Sequence, residues 1–388
     1  CERRPVRVAI IGGGIGGLTA GIALRRAGFE PVIHERAAAF GEVGAGISLS
    51  PNAVKGLEAL GLADFLARTA NEPLDQFLCH GETGEELLRY DRRTTRETYG
   101  AAYYQLHRAD LLAGLVEAFG AGRCVMGEAL ARIEQDGAGV RLGFADGSEA
   151  RADVVIAADG LRSTVREILF DPSEPRFSGH VAWRALIPAE TLPERARLPA
   201  SINHVGPGRN LVTYPVRGCG LVNMVALTRS DDWAEESWNA RAMPGELAAL
   251  FEGWAGYVGA VIAAIPQDAL YRWGLFVREP LTTWVRGRIA LLGDAAHPML
   301  PFMGQGASST IEDAVVLGRC FAAAAHAQEA LRLYESARIE RASFLQAESN
   351  CGGDRLQALD PYALRDNPPQ NEDALGIFRY DPARVGIA

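Results

Sequence analysis

A short apolar run opens the patterned part of the chain. Residues Val6 to Ile11 are mostly apolar and β-branched, which is typical of a buried strand in a parallel sheet. The segment from Leu18 to Ala27 has apolar residues at helical spacing and stops at Gly28. A second strand pattern, Pro31 to His34, ends on the acid Glu35. This order of strand, helix and strand predicts a βαβ unit.

Glycines occupy the turn between the first strand and the first helix. Gly12, Gly14 and Gly17 stand at the G-x-G-x-x-G positions. The first glycine allows a tight turn, the second lets the backbone approach a pyrophosphate, and the third lets the helix pack close to the strand. Amides at the helix start would face the phosphates, and Glu35 would accept hydrogen bonds from a ribose. The pattern indicates an adenine dinucleotide and leaves NAD and FAD open; a glycine-rich turn of another α/β protein is the alternative.

The next part of the chain alternates between strand and helix patterns. Residues 71–104 alternate weakly and carry turn signals, which predicts strands outside the βαβ unit. A helix pattern follows from Leu111 to Phe119, with Asp110 as the expected N-cap. The apolar strand Ala152 to Ala158 then ends in Asp159-Gly160. Open α/β sheets bind ligands at such strand ends.

Short strand patterns dominate from Phe177 to Phe276, interrupted by one helix at about Pro244 to Trp254. This texture predicts an antiparallel sheet in a second domain. The pattern of the first domain then resumes with a buried strand, Arg288 to Leu292, which ends in Gly293-Asp294. Two further helices are expected, Ala307 to Cys320 and Ala327 to about Ser349.

Composition excludes several classes of protein. The chain has 388 residues, of which 48% are hydrophobic and 22% charged, as in folded proteins large enough for two domains. A net charge of −9 argues against nucleic-acid binding, because nothing offsets repulsion from phosphates. No uncharged apolar run reaches the roughly 18 residues of a membrane span. The six cysteines form no C-x-x-C pair, which argues against zinc ribbons and thioredoxin-like sites and favours a reducing cytoplasm.

Three motifs together resemble a known family. They are Gly12-x-Gly14-x-x-Gly17 with Glu35, Asp159-Gly160-x-x-Ser163-x-x-Arg166, and Gly293-Asp294-Ala295-Ala296-His297-Pro298. Their order and spacing resemble the class A flavoprotein aromatic hydroxylases of the para-hydroxybenzoate hydroxylase fold. The nearest branch contains salicylate hydroxylase, 3-hydroxybenzoate 6-hydroxylase and 6-hydroxynicotinate 3-monooxygenase. Further segments that resemble this branch are Gly44-Ala45-Gly46-Ile47, Pro51-Asn52-Ala53, His107-Arg108-x-Asp110-Leu111, Ala182-Trp183-Arg184 and Tyr214-Pro215-Val216.

The resemblance, which runs from residue 6 to about 348, implies a fold and a domain arrangement. The fold class is α/β, with a Rossmann-like FAD-binding domain, an antiparallel-sheet substrate domain and a C-terminal helix. The expected segments are 1–73, 105–175 and 278–322 for the FAD-binding domain, 74–104 and 176–277 for the substrate domain, and 323–388 for the C-terminal helix and tail.

The resemblance also implies a reaction. FAD is the expected cofactor, with NADH or NADPH as a transient co-substrate. Reduced flavin would react with O2 to give a C4a-hydroperoxide, which hydroxylates a small aromatic or N-heteroaromatic acid. The alternatives are a related monooxygenase acting on a purine-like or larger apolar substrate, and a non-catalytic flavin-binding protein. No metal is expected, and a homodimer stays open.

The family's FAD contacts can be carried over onto matching positions of this chain. Asp294 would bind the ribityl chain, and the helix starting near Gly306 would direct its amides at the flavin. The expected cofactor-binding residues are Gly12, Gly14, Gly17, Glu35, Arg36, Gly46, Arg108, Asp159, Asp294, Gly304, Gly306 and Ala307.

The substrate side departs from the family at one position. Relatives commonly carry a histidine base where this chain has Asn210, and His204 is a substitute candidate, with a structural strand histidine as the alternative. Histidines that the 6-hydroxynicotinate enzymes carry are replaced by Ser48 and Phe302, which argues against that substrate. The expected catalytic residues are Tyr214, His204, Asn210 and Pro298, and the expected substrate-binding residues are Ser48, Arg184, Tyr214 and Phe302. A core role for Tyr214 and a structural role for Arg184 stay open.

Overall fold

The structure is a computed structural model that describes residues 6–41, 45–231, 240–368, 370, 372 and 374–387. Gly44, part of one family-like segment, and Cys1 lie outside the described residues. The strands are β1 (Val8–Ile11), β2 (Val32–Glu35), β3 (Gly46–Leu49), β4 (Asp75–His80), β5 (Glu86–Asp91), β6 (Tyr104–His107), β7 (Cys124–Met126), β8 (Leu130–Asp136), β9 (Gly139–Phe144), β10 (Glu149–Ala152), β11 (Val154–Ala157), β12 (Arg176–Pro188), β13 (Ala200–Gly206), β14 (Arg209–Val216), β15 (Leu221–Arg229), β16 (Ala240–Arg241), β17 (Tyr271–Val277), β18 (Val285–Arg286) and β19 (Ile289–Leu291).

The α-helices alternate with these strands in the first half of the chain, and four of them, α9 to α12, follow the last strand. They are α1 (Ile15–Arg26), α2 (Pro51–Ala59), α3 (Ala63–Thr69), α4 (Thr95–Tyr99), α5 (Arg108–Phe119), α6 (Thr164–Leu169), α7 (Pro244–Leu250), α8 (Gly256–Ala263), α9 (Gly306–Ala323), α10 (Ala327–Asn350), α11 (Gly352–Leu356) and α12 (Ala363–Asp366). No described helix combines the length and the apolar character that crossing a bilayer requires.

A six-stranded sheet in the order β18-β19-β11-β1-β2-β7 confirms the predicted Rossmann-like unit. All its pairs are parallel except the edge pair of β18 and β19. Ile11, Ala157 and Leu291 are neighbours in register at the carboxyl ends of β1, β11 and β19. The three family-like motifs follow these strands, so the sheet brings them to one edge.

Helices bury this sheet. α1 packs against α5 and α9, and α9 packs in turn against α2 and α10. The α1–α9 contact depends on a glycine, because a Cβ added to Gly318 would lie 2.7 Å from the Cβ of Ala23. The core therefore continues from the central strands into α9, whose N-terminus reaches the functional edge of the sheet.

An eight-stranded sheet in the order β16-β17-β12-β15-β14-β13-β4-β5 forms the second layer. The prediction of antiparallel pairing is confirmed for every pair except β13 with β4, which is parallel. β4 comes from an earlier segment of the chain and joins the edge of the meander β13-β14-β15, so no hairpin sets its direction.

Two local predictions about helices were wrong. The helix expected at about Pro244 to Trp254 is shorter, because α7 ends at Leu250; a turn with Gly253 at a φ of +81° then leads to α8, which the sequence analysis did not predict. The N-cap of α5 is His107 and not Asp110, because His107 Nδ1 accepts a hydrogen bond from the amide of Ala109 at 3.2 Å. Asp110 lies in the first turn of α5 and pairs with Arg217 at 2.6 Å.

Candidate functional site

A cavity of about 610 Å³ connects the functional edge of the parallel sheet with one face of the eight-stranded sheet. At the edge of the parallel sheet, which we call the motif end, it is lined by Gly14, Arg108, Gly160, Asp294, Gly304, Gly306 and Ala307. At the eight-stranded sheet, which we call the sheet end, it is lined by Ser201, Asn203, Asn210, Val212, Tyr214, Val225 and Leu227. Two predicted sets of residues, far apart in sequence, thus share one chamber.

The three motif glycines have three different surroundings. Gly12 has a φ of +100°, and a Cβ there would overlap the carbonyl of Ala158. A Cβ on Gly17 would overlap the carbonyl oxygen of Gly12, so this glycine sets the spacing of β1 and α1. A Cβ on Gly14 would meet no described atom within 4 Å and would project at the cavity wall. The turn therefore leaves a cradle at Gly14 that a ligand can fill.

Glu35 closes the other side of this turn. Its carboxylate accepts hydrogen bonds from the amides of Gly13 at 2.6 Å and Ala37 at 2.8 Å. Arg36 is exposed beside it. Neither side chain is among those that line the cavity. The structure therefore places Glu35 and Arg36 next to the glycine turn but outside the chamber.

Asp294 points its carboxylate into the cavity. It makes no hydrogen bond to the described part of the chain, while its residue is solvent-accessible through the cavity. Desolvation raises the pKa of this carboxyl, and His297 and Arg108 oppose the shift. An acceptor in this setting is suited to hydroxyl or amide donors of a bound molecule.

A buried ionic cluster fixes the turn that carries Asp294. The carboxylate of Asp313 on α9 accepts hydrogen bonds from the amide of Gly293 at 3.1 Å, His297 Nε2 at 2.6 Å and Arg338 Nε at 2.8 Å. Burial alone would raise the pKa of Asp313, but its interactions with His297 and Arg338 outweigh burial and lower the pKa. Sequence reasoning missed this cluster, because its members come from three separate segments.

The N-terminus of α9 forms another wall of the motif end. Gly304 adopts a left-handed conformation with a φ of +63°, which turns the chain into the helix. Gly306 and Ala307 line the cavity at the start of this 18-residue helix. First-turn amides have no acceptor within the helix, and the helix dipole makes this end favourable for negative charge. The end is therefore suited to an anionic or electron-rich group.

Asp159 has a capping role in this structure. Its Oδ1 accepts a hydrogen bond from the Ser163 hydroxyl at 2.6 Å, and its Oδ2 accepts one from the amide of Val165 at 3.3 Å. Burial raises the pKa of Asp159, and these donors oppose the shift. Its neighbours Ala158 and Gly160 line the cavity, whereas Asp159 itself does not.

Two tyrosines and a serine meet at the boundary between the two ends. Tyr214, Tyr103 and Ser48 all line the cavity. Burial raises the pKa of both phenols, and the Ser48 side chain opposes the shift in each case. Gly46 permits this approach, since a Cβ there would lie 2.6 Å from the ring of Tyr214. Both phenols are therefore neutral hydrogen-bonding groups at neutral pH.

Asn210, at the position where the family resemblance leads us to expect a histidine base, faces the cavity. Its Nδ2 donates to Asn203 Oδ1 at 3.2 Å, and its Oδ1 accepts from Gln357 Nε2 at 3.1 Å. An amide does not titrate, so this position offers hydrogen bonds and no base.

The structure does not bring three of the predicted catalytic and substrate-binding residues to this cavity. His204 lies on the opposite face of β13 and stacks on Tyr257, with ring centroids 5.0 Å apart, and burial lowers its pKa to about 4. Arg184 lies with its guanidinium 4.7 Å from the ring centroid of Trp273 and is not among the lining residues. Pro298 is buried, and its carbonyl accepts a hydrogen bond from Gln346 Nε2 at 2.9 Å. The sequence placed His204 and Arg184 correctly on strands and Pro298 in a loop. Alternation along a strand does not say which face of the sheet meets the chamber.

The C-terminal segment supplies residues that sequence reasoning missed. α11 lies on the loop that contains Phe302, because a Cβ on Gly352 would overlap the Phe302 side chain. This close packing brings Arg355 to the cavity beside Phe302. Arg355 donates from Nη1 to Glu348 Oε2 at 3.2 Å and from Nη2 to the Glu348 carbonyl at 2.9 Å. In the sequence, the available signal for this residue was the pair Gly352-Gly353, which permits close packing just before Arg355.

Comparisons with known proteins agree with this geometry. The FAD binding domain family matches residues 5–349. The chain is 38% identical to 3-amino-4-hydroxybenzoate 2-monooxygenase PtmB3 of Streptomyces platensis, over 99% of this chain and 98% of that protein. It is 37% identical to 6-hydroxynicotinate 3-monooxygenase of Pseudomonas fluorescens, over 98% of this chain and 96% of that protein. A crystal structure of Klebsiella pneumoniae HpxO complexed with FAD and uric acid matches the fold with a TM-score of 0.86 and 30% identity, over 97% of this chain and 96% of that one.

Proposed function

This chain belongs to the FAD binding domain family, among the class A flavoprotein aromatic hydroxylases, and on that premise we propose that it hydroxylates a small aromatic acid with NADH or NADPH and O2. The observation that carries the proposal is the continuity of the cavity, which joins a dinucleotide cradle to a partly polar chamber. The relatives' names favour a hydroxybenzoate-type acid as the substrate.

The motif end fits FAD. The open space at Gly14 suits the pyrophosphate, and the Asp294 carboxylate suits the hydroxyls of the ribityl chain. Arg108 and the first-turn amides of Gly306 and Ala307 suit its negative or electron-rich groups. When bound, FAD supplies the transfer of electrons from NAD(P)H to O2 and of one oxygen atom to the ring.

The sheet end fits an aromatic acid. Val212, Val225 and Leu227 give the wall apolar surface against which a ring can pack. Arg355 is a guanidinium at this end, and its five N–H donors exceed the acceptors that Glu348 provides. We assign it to the substrate carboxylate, because guanidinium and carboxylate form strong paired hydrogen bonds.

Water exclusion is the second contribution of this wall. Leu300 and Phe302 line the chamber with apolar surface. A dry site favours oxygen transfer to the ring over release of hydrogen peroxide. Tyr103 and Tyr214 retain their protons at neutral pH, so they orient the substrate and do not act as bases.

The proposal also includes a cellular location and an oligomeric state. A cytoplasmic location agrees with the five cysteines of the described residues, all of which are unpaired thiols. A homodimer stays a prediction, which light scattering of the purified protein tests directly.

The proposed activity is tested by product analysis. The FAD-loaded protein is incubated with NADH or NADPH, ¹⁸O2 and each member of a panel of hydroxybenzoates, aminohydroxybenzoates and hydroxynicotinates. The expected result is one hydroxylated product that contains a single ¹⁸O atom, formed in proportion to NAD(P)H oxidised. NAD(P)H oxidation that yields only hydrogen peroxide with every acid would contradict the proposal.

A further inference from the structure

Three side-chain amides connect a backbone carbonyl to the sheet end of the cavity. Gln357 Nε2 donates to the carbonyl of Leu227 and to Asn210 Oδ1, both at 3.1 Å. Asn210 Nδ2 then donates to Asn203 Oδ1 at 3.2 Å. Gln357 and Asn210 are 3% and 2% exposed, so solvent does not compete for these hydrogen bonds.

The Leu227 carbonyl determines which atom of each of the three side-chain amides donates and which accepts. A carbonyl only accepts, so the Gln357 atom facing it is the nitrogen. The same nitrogen faces Asn210, which therefore presents its oxygen to Gln357 and its nitrogen to Asn203. Asn203 in turn accepts with its oxygen. Its nitrogen makes no hydrogen bond within the described part of the chain, and Asn203 lines the cavity.

We propose that Asn203 and Asn210 are an N–H donor pair for the ring oxygen of the substrate. The assignment rests on the function proposed above. A phenolate oxygen accepts such hydrogen bonds more strongly than a neutral phenol does. The ring hydroxyl therefore binds as its phenolate, and its proton passes to bulk solvent instead of to a protein base. This gives an electron-rich ring without the histidine that relatives carry at the position of Asn210.

Burial keeps the phenols and the imidazole near the sheet end neutral between pH 7 and pH 9. The groups that face the sheet end or pack against Gln357 are Tyr90, Tyr103, Tyr214, Arg355, Glu372 and His180. Burial raises the pKa of the three phenols and lowers the pKa of His180. Glu372 pairs with Arg92 at 3.5 Å. Between pH 7 and pH 9, the ligand's own phenol is therefore the group whose titration changes binding.

Ligand binding to the FAD-loaded protein tests the assignment without turnover. Dissociation constants for 4-hydroxybenzoate and 4-methoxybenzoate are measured between pH 7 and pH 9 from the change in flavin absorbance, with no NAD(P)H present. We expect the 4-hydroxybenzoate constant to fall by close to tenfold per pH unit, because only the phenolate binds strongly, and the 4-methoxybenzoate constant to stay level.

Two variants separate donation from packing. Asn203→Asp replaces the donor with a carboxylate and should weaken 4-hydroxybenzoate binding at least tenfold at pH 9, with little effect on 4-methoxybenzoate. Gln357→Leu releases the Asn210 amide and should flatten the pH dependence. Asn367→Asp, which adds the same charge at an exposed position, is the control and should match the parent.

The outcomes are distinct. Level constants for 4-hydroxybenzoate in the parent protein, or an Asn203→Asp variant with unchanged binding, overturn the donor pair alone. A parent protein that binds FAD but no aromatic acid of any kind overturns the proposed function and the donor pair with it.

Discussion

His297 Nε2 lies 2.6 Å from Asp313 Oδ2, and both side chains are buried. The same carboxylate holds the amide of Gly293 and the guanidinium of Arg338. Through the side chain of Asp313, α9 thus holds the turn at Gly293 in place, and Asp294 is the residue that follows Gly293. The chamber's geometry at the motif end depends on a charge cluster that does not itself line the chamber.

Asp313→Asn should therefore destabilise the fold and loosen FAD. The change leaves the buried Arg338 with Glu312 as its remaining anionic partner, at 2.7 Å. Loss of one partner of a buried ionic cluster costs about 3 kcal/mol. Urea unfolding and flavin release on dilution measure the two effects. Asp268→Asn removes the exposed pair with Arg241 and should cost well under 1 kcal/mol; equal losses in both variants would contradict the role of the cluster.

Gly14→Ala and Gly17→Ala should separate cofactor binding from folding. A methyl group on Gly14 enters the cradle without touching the protein, so the apoprotein should keep its melting temperature and lose FAD affinity about tenfold or more. A methyl group on Gly17 overlaps the Gly12 carbonyl, so this variant should unfold at lower temperature even without FAD. Calorimetry of apoproteins and flavin titration give both quantities, and full FAD affinity in Gly14→Ala would refute the cradle.

His204 should give the fold a pH-dependent stability. Burial holds its folded-state pKa at about 4, while an unfolded histidine has a pKa near 6.5. The unfolded state therefore takes up a proton as the pH falls below about 6.5, and stability is lost down to pH 4, by up to about 3 kcal/mol. His204→Phe, which keeps a ring against Tyr257, should lose most of this dependence in urea unfolding at pH 7 and pH 4.5. His326→Gln removes an exposed imidazole and should retain it.

Arg355→Gln should weaken binding of the aromatic acid. Loss of a charged hydrogen bond to the carboxylate should raise KM about tenfold to a hundredfold with a smaller change in kcat. Arg355→Lys keeps the charge but not the paired geometry and should fall between the two. Arg365→Gln, at an exposed site on α12, is the matched control. Parent-like KM values in Arg355→Gln would remove this residue from the substrate site.

The glycine turn and its strand–helix–strand setting could be predicted from sequence because most of the contacts that define them are local; the contact of Gly12 with the Ala158 carbonyl is the exception. Gly12, Gly14 and Gly17 act within one short segment. The strand expected at Ala152 to Ala158 is instead the end of β10 and then β11, with Asp153 between them, because Asp153 accepts a hydrogen bond from the amide of Arg7 at 2.8 Å. That partner is 146 residues away in the chain.

The sheet end of the cavity was harder to predict, because it also depends on contacts between residues that are distant in the sequence. Alternation shows that Asn203 and His204 face opposite sides of β13, but only the packing of Tyr257 and the approach of β14 decide which side is the chamber. Tyr103 and Arg355 come from segments that carry no motif, and their position depends on β6 and on the packing of α11 against Phe302.

The central claim is that one chamber holds FAD at its motif end and an aromatic acid at its sheet end. A crystal structure of the FAD-loaded protein soaked with the acid that gives coupled turnover tests it most directly. The account predicts flavin density between Asp294 and the N-terminus of α9, with the acid's ring facing Asn210 and its carboxylate at Arg355. Flavin density outside this chamber, or an acid bound on the His204 face of the sheet, would contradict it.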